Sequence, residues 1–189
     1  MIRQALPIDF DDIVQIKKQL ALDITRLGDT AYKKEIVQRG FLLPSIYTHE
    51  DFMRDLCKVY LVVEIDEKVV GFLRVDEKQD YSQQTPLIWL EPTFKDTYFS
   101  MPHAVIGGIG VLPEYTKHGF ATQLFLETIK ELTTKNIRSI FSLVTTSPVC
   151  NTPSLKFHEK NGFEKIAERE KGDTFDLHDY QSVLLVNMF

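Results

Sequence analysis

The first half of the chain carries a helical pattern followed by a hairpin pattern. A short strand is predicted at residues 2–6. After it, apolar residues recur at the spacing of an amphipathic helix. They are Ile13, Ile16, Leu20 and Ile24. A mixed stretch follows at 28–48, where Thr48 and Asp51 resemble a weak capping box that starts another helix. Two β-branched runs, 59–65 and 69–75, flank a polar turn and predict a β-hairpin.

The second half shows clearer boundaries between strands and helices. A glycine-containing strand at 104–111 passes through a polar loop into an amphipathic helix. The predicted elements from there on are a helix at 120–135, a strand at 140–144, a short helix at 154–160, and strands at 163–168 and 182–189. This order predicts a mixed α/β chain rather than a strictly alternating, doubly wound one.

The composition of the chain argues against several classes of protein. A chain of 189 residues with 43% hydrophobic residues can bury one core without disulfides or a structural metal. The net charge of −5 argues against a general nucleic-acid binder. The five histidines are scattered, and Cys57 and Cys150 are far apart, which fits neither a zinc site nor a disulfide framework. With no long apolar run and no signal-peptide pattern, we expect a soluble cytoplasmic protein without a membrane partner.

The segment 111–121 is the most informative part of the sequence. A strand enters a short polar loop that opens directly into a helix, whose first N–H groups form a ready anion site. Gly119 and Ala121 allow a phosphate close to the backbone, and Lys117 and His118 can add positive charge. The Walker pattern is absent, and the dinucleotide pattern is only half present.

Two motifs at a fixed separation resemble those of the GNAT superfamily of N-acetyltransferases. The first is a strand ending Val-x-Pro and leading into Gly-x-[Gly/Ala], matched by Val111, Pro113, Gly119 and Ala121. The second runs from Asn151 to Phe163 and ends Glu-Lys-Asn-Gly-Phe. The resemblance implies a GNAT-like fold of α+β type, with a central mixed, mostly antiparallel sheet flanked by helices. It covers residues 104–189 closely, and we expect 1–189 to form one domain.

The resemblance also implies a ligand, acetyl-CoA or a related acyl-CoA, used as co-substrate without a metal. The loop amides would hold its pyrophosphate, two backbone positions would pair with the pantetheine, and a side chain would contact the pantetheine arm from the other side. The positions implied for cofactor binding are Ile109, Val111, Thr116, Lys117, His118, Gly119, Phe120, Ala121, Asn151 and Ser154. We also expect Asn151 to cap the following helix.

Three positions depart from the family pattern. Thr116 stands where Arg or Gln is usual, and Lys117 can restore the lost charge. His158 stands where Tyr commonly protonates the leaving thiolate; it is either the general acid or a packed side chain. The strand at 106–108 lacks the glutamate that many members use as a base. Weak candidates for the base are Glu64, Glu91, His103 and Asp179.

An irregular, aromatic-rich insertion is expected at about 79–103. Its aromatic side chains either pack or line an acceptor pocket, and the sequence favours neither interpretation. They are Tyr81, Trp89, Phe94, Tyr98 and Phe99.

The sequence therefore predicts an acyltransferase that moves an acetyl group from acetyl-CoA to a primary amine by direct attack on the thioester. The acceptor would be a small molecule or a peptide, and net acidity mildly favours a cationic one. A non-catalytic acyl-CoA-binding or regulatory module is the alternative, and a nucleotide-binding domain using residues 116–121 is a third interpretation. A homodimer fits the resemblance, because family members are often dimers.

Overall fold

A computed structural model describes residues 1–77, 86–174 and 176–189, so Tyr81 lies outside the described residues. The strands are β1 (Ile2–Gln4), β2 (Tyr60–Ile65), β3 (Lys68–Asp76), β4 (Leu87–Trp89), β5 (His103–Val111), β6 (Ser139–Ser147), β7 (Glu164–Arg169), β8 (Gly172–Thr174) and β9 (Leu177–Met188). The helices are α1 (Phe10–Leu20), α2 (Thr30–Arg39), α3 (His49–Asp55), α4 (Phe94–Phe99), α5 (Phe120–Thr134) and α6 (Thr152–Lys160). Single 3-10 turns lie at Pro7–Asp9, Ile24–Arg26 and Pro113–Tyr115.

The strands form one sheet in the order β1-β2-β3-β5-β6-β9-β7-β4, with β8 paired to β9. Within the described residues, every strand pair is antiparallel except β5 and β6. The mixed, mostly antiparallel sheet that the motifs implied is therefore confirmed. Helices α1 and α5 pack on β3 and β5, where most of the apolar core lies.

The helix starts follow from local sequence. Thr48 caps α3 by accepting from the Asp51 N–H, and the Asp51 carboxylate accepts from the Thr48 N–H, which confirms the predicted capping box. Helix α2 was not predicted within the mixed stretch 28–48. It begins at the Asp29 cap, and only Tyr32 and Ile36 of its residues are buried, so its apolar pattern is too sparse to detect.

Residues 86–103, the described part of the expected irregular insertion, contain the short strand β4 and the helix α4. Their aromatic side chains pack against a second apolar cluster behind β6 and β9. The ring of Phe99 stacks on that of Phe141 with a centroid separation of 4.6 Å, and Trp89 meets Phe99 edge to face. For the aromatics from Trp89 to Phe99, the packing interpretation is therefore the one that the structure supports. Across the described segments, we find no helix with the length and apolar character needed to span a membrane.

Candidate active site

The two central strands separate where the predicted cofactor loop begins. β5 pairs with β6 only through His103–Val105 and Ser139–Phe141, after which β5 continues with β3 and β6 with β9. Residues 106–111 of β5 and 142–145 of β6 then face each other across an open gap, which we call the β5–β6 wedge. The wedge belongs to a cavity of about 940 Å³ that α1, α6 and residues 39–47 enclose.

The loop after β5 has the backbone of an anion site. Lys117 adopts a left-handed backbone conformation with φ 69°, which residues other than glycine adopt only rarely. Gly119 precedes α5 with φ 78° and, as a glycine, offers no side-chain oxygen to cap the helix. The first intrahelical bond runs from the Gln123 N–H to the Gly119 carbonyl, so the N–H groups of residues 120–122 are left for a ligand or solvent.

The side chains of this loop hold its shape. The Thr116 hydroxyl donates to the Pro113 carbonyl at 2.8 Å. The His118 Nδ1 lies 3.1 Å from the carbonyls of Tyr115 and Thr116, and its ring stacks on Phe120. Because the side chains of Thr116 and His118 bond to backbone carbonyls of the loop, the backbone N–H groups are its principal donors to a ligand.

Most of the sequence-predicted residues meet at the cavity. Those that line it are Ile109, Val111, Thr116, Ala121, Asn151, Ser154 and His158. Lys117, His118, Gly119 and Phe120 belong to the loop but do not line the cavity itself. The structure thus brings the two motifs together at one cavity, whereas their role in cofactor binding stays a prediction.

Asn151 fixes the wall of the cavity opposite β5. Its Oδ1 accepts from the Ser154 N–H at 3.4 Å, which caps α6 as expected. Its Nδ2 donates to the Phe41 carbonyl at 2.7 Å and so holds residues 40–41 against α6. The amide therefore joins two segments that line the cavity, whereas contact with a pantetheine arm stays a prediction.

His158 is buried, with 1% of its surface exposed. Its Nδ1 lies 2.7 Å from the Ser154 carbonyl, which can only accept, so Nδ1 carries the proton. Burial lowers the pKa of this imidazole to about 4, although the bond to Ser154 opposes the shift. At neutral pH, Nε2 is thus a bare acceptor, and no described residue bonds to it. The general-acid role expected for His158 stays a prediction, and both features oppose it.

Replacing His158 with phenylalanine tests that role and the buried imidazole together. Because the unfolded chain binds a proton near pH 6.5 and the folded chain only near pH 4, the wild type loses about 3 kcal/mol of stability as pH falls through this window. The variant should lose that much less between pH 6.5 and 4, as measured by urea unfolding at each pH. Turnover at saturating acetyl-CoA should fall less than about tenfold, whereas loss of a general acid costs about 100-fold or more.

A charged cluster that the sequence analysis missed lies beside the closed end of the wedge. Asp55 is 1% exposed and forms ion pairs with Arg74 and Lys58. It also accepts from the Tyr47 hydroxyl at 2.8 Å, and Arg74 donates to the Gly107 carbonyl at 3.3 Å. Burial favours a raised pKa for Asp55, but hydrogen bonding to Lys58 and the charge of Arg74 outweigh it and lower that pKa.

The same cluster lies against the strand segment 106–108, which carries no carboxylate. A Cβ added to Gly107 would overlap the Arg74 guanidinium and lie 2.6 Å from Oδ2 of Asp76. A larger residue at 107 is therefore incompatible with this arrangement. The charged side chains next to Gly107, Arg74 and Asp76, belong to the neighbouring strand β3. Neither of them lines the cavity.

None of the four base candidates lines the cavity either. Glu64 accepts from Arg3 at 2.6 Å, and Asp179 lies on the surface 3.2 Å from Lys171. His103 bonds to the Met101 carbonyl and packs on Phe141, and Glu91 is exposed. Since none of the four lines the cavity, their role as a base has no geometric support.

One further cavity residue, Lys17, is marked in the sequence by its place on an apolar helix face. Lys17 lies on α1 within the face that carries Ile13, Ile16 and Leu20, where a lysine is unexpected. Its ammonium lies 4.0 Å from the centroid of the Tyr47 ring. Burial, together with the nearby charge of Arg74, lowers the pKa of Lys17 to about 8.

Solved structures share this architecture over the whole chain. PaiA N-acetyltransferase from Thermoplasma acidophilum, in complex with coenzyme A, matches with a TM-score of 0.62 at 16% identity, covering 100% of this chain and 98% of that one. Ribosomal-protein-alanine N-acetyltransferase from Brucella melitensis matches at 0.64 and 16% identity, covering 100% and 99%. Arabidopsis thaliana NAA60, in complex with a bisubstrate analogue, matches at 0.65 and 18%, covering 100% and 97%.

Sequence comparison gives the family itself. No curated protein sequence matches the chain. The profile of the acetyltransferase (GNAT) family, however, matches residues 29–163, which include both motifs and the whole β5–β6 wedge. The chain therefore belongs to the acetyltransferase (GNAT) family.

Proposed function

We propose that this protein transfers an acetyl group from acetyl-CoA to a primary amine. The observation that supports this most strongly is the β5–β6 wedge, which leads directly to the uncapped N-terminus of α5. A long ligand with a polyanionic end fits such a site, because backbone groups along residues 106–111 lack a β6 partner and the helix start favours phosphate. The coenzyme A bound to the Thermoplasma acidophilum protein is consistent with this ligand class.

In this proposal, the pantetheine lies along β5 and pairs with the backbone at Ile109 and Val111. The pyrophosphate accepts from N–H groups of residues 117–121, since the Thr116 N–H donates to the Pro113 carbonyl, and Lys117 adds positive charge at the rim. Asn151 and Ser154 form the opposite wall through the start of α6. The thioester then points toward Gly107, at the closed end of the wedge.

Positioning supplies most of the catalysis. Holding amine and thioester side by side converts a bimolecular step into an oriented one. A backbone N–H of β5 at the closed end of the wedge polarises the thioester carbonyl. The amine nitrogen bonds to the acyl carbon, the carbon–sulfur bond breaks, and the proton lost by nitrogen reaches the thiolate through water. The products are the acetylated amine and free CoA.

A non-catalytic acyl-CoA-binding module remains the second candidate. The observation that favours it is the cavity lining, which includes no carboxylate among the described residues, while His158 is an acceptor. Such a protein would bind acetyl-CoA tightly and leave the thioester intact in the presence of amines.

Calorimetry and a thiol-release assay separate these functions. We expect acetyl-CoA to bind with one site per chain, and CoA thiol to appear when amines are added, with the acetylated amine confirmed by mass spectrometry. Binding without thiol release across small amines, amino acids and peptides would favour the non-catalytic module. Binding of ATP that acetyl-CoA does not displace would point to a nucleotide site instead.

A further inference from the structure

The charges that line the cavity have the opposite sign to the net charge of the chain. Four cationic side chains line it, and the described lining includes no aspartate or glutamate. They are Lys17, Lys18, Arg39 and Arg169. A local cationic surface in a protein of net charge −5 indicates a site that receives negative charge.

Three of these cationic side chains already contact another group of the protein or are exposed to solvent. Arg39 lies 3.7 Å from Glu35 and donates to the Gln19 carbonyl, and Arg169 stacks over the Tyr180 ring. Lys18 is exposed. Lys17 differs, because it is partly buried, lies over aromatic rings and forms no ion pair with any carboxylate in the described segments.

Lys17 lies beside the wedge itself, ahead of the loop proposed to bind phosphate. Its ammonium is 5.2 Å from the centroid of the Phe72 ring, which lies against both Gly108 and Gly110. Its other aromatic neighbour, Tyr47, is joined through Asp55 and Arg74 to the Gly107 carbonyl. Gly107, Gly108 and Gly110 all precede Val111, and the loop proposed to bind phosphate begins only after that residue.

We propose that the acceptor amine carries an anionic group, a carboxylate or a phosphate, that pairs with Lys17 beside the Tyr47 ring. This inference rests on the proposed acetyl transfer and names the class of its acceptor. It replaces the weak expectation of a cationic acceptor, because the local charge at the site outweighs the distant net charge. Burial and the charge of Arg74 lower the pKa of Lys17 against the opposing charge of Asp55, and a bound anion would raise it again.

Matched acceptor pairs test this by thiol release. Glycine, leucine, phenylalanine and glutamate are each compared with the corresponding primary amide, and O-phosphoethanolamine is compared with ethanolamine. The carboxylate or phosphate member of at least one pair should have a kcat/KM at least about tenfold higher. Amine basicity alone predicts the opposite preference. The anionic group raises the pKa of the neighbouring amine, so less of that amine is in the neutral form that attacks the thioester. Preference for the carboxylates alone, or for the phosphate alone, identifies which anion is used.

Lys17→Met should remove that preference by lowering kcat/KM for the anionic member alone, and Lys17→Arg should restore part of it. Lys33→Met is the matched control, because Lys33 is exposed on α2 and does not line the cavity. The dissociation constant for acetyl-CoA should stay within about threefold in all three variants. If Lys17→Met instead weakens acetyl-CoA binding and leaves the pairs unchanged, Lys17 serves the cofactor and the proposal is wrong.

A binding measurement keeps the test independent of turnover. N-Acetylated forms of the same amino acids and of their amides are titrated into the CoA-saturated protein by calorimetry. The acids should bind at least about tenfold more tightly than the amides, and only in chains that retain Lys17. Equal binding, or no binding of either, overturns the anionic acceptor. Binding of the acids without any thiol release would instead contradict the proposed transfer and leave the anion site in place.

Discussion

Replacing Ala121 with aspartate is expected to weaken acetyl-CoA binding by at least about 100-fold without destabilising the protein. Ala121 lies in the first turn of α5 and lines the cavity. A carboxylate there is favourable for the free protein, since the helix dipole stabilises a negative charge at this end. The same carboxylate would stand against the pyrophosphate, where two like charges in a partly enclosed site repel by several kcal/mol. Opposite effects on stability and binding identify an anion site.

Calorimetry with acetyl-CoA and thermal unfolding of the free protein measure the two effects. Ala121→Ser is the matched control, because it adds one polar atom without charge and should bind acetyl-CoA within about fivefold of the wild type. If Ala121→Asp binds as tightly as Ala121→Ser, the phosphates lie elsewhere and the role of the α5 N-terminus is wrong.

Replacing Asp55 with alanine is expected to cost about 3–5 kcal/mol of folding stability. The carboxylate is buried, pairs with Arg74 and Lys58, and accepts from the Tyr47 hydroxyl. Its removal leaves Arg74 with Asp76 and the Gly107 carbonyl as partners and removes the hydrogen bond that positions Tyr47. The cost arises chiefly from the charge left without its buried partner, rather than from the gross strength of the pair.

Urea unfolding separates these contributions when it is measured for Asp55→Ala, Arg74→Met, the double variant and Glu50→Ala. Glu50→Ala removes an exposed carboxylate from the same helix and should cost less than about 1 kcal/mol. The double variant Asp55→Ala/Arg74→Met should lose clearly less than the sum of the two single variants, because the second change removes the orphaned charge. Additive losses, or a loss for Asp55→Ala as small as that for Glu50→Ala, would contradict a coupled buried cluster.

The parts of this protein that sequence predicted best are those in which local chemistry decides structure. Val111, Pro113, Gly119 and Ala121 lie within eleven residues, and together they specify the strand end, the turn and the helix start. The hairpin of β2 and β3 and the capping box at Thr48 were predictable for the same reason.

The remaining features depend on contacts between distant segments. The cluster of Asp55, Arg74 and Asp76 joins α3 to β3, and neither the sequence spacing nor the family motifs indicate that it lies over Gly107. The protonation state of His158 depends on its burial among Phe157, Phe163 and the Ser154 carbonyl. Such burial is a property of the packed core, so the sequence could place the histidine but could not assign its proton.

A crystal structure of the protein with bound coenzyme A tests the central claim most directly. The account predicts that the pantetheine occupies the β5–β6 wedge along residues 106–111, with the pyrophosphate within hydrogen-bond distance of backbone N–H groups between Thr116 and Ala121. Coenzyme A bound outside the wedge, or its phosphates held by side chains away from the start of α5, would contradict it.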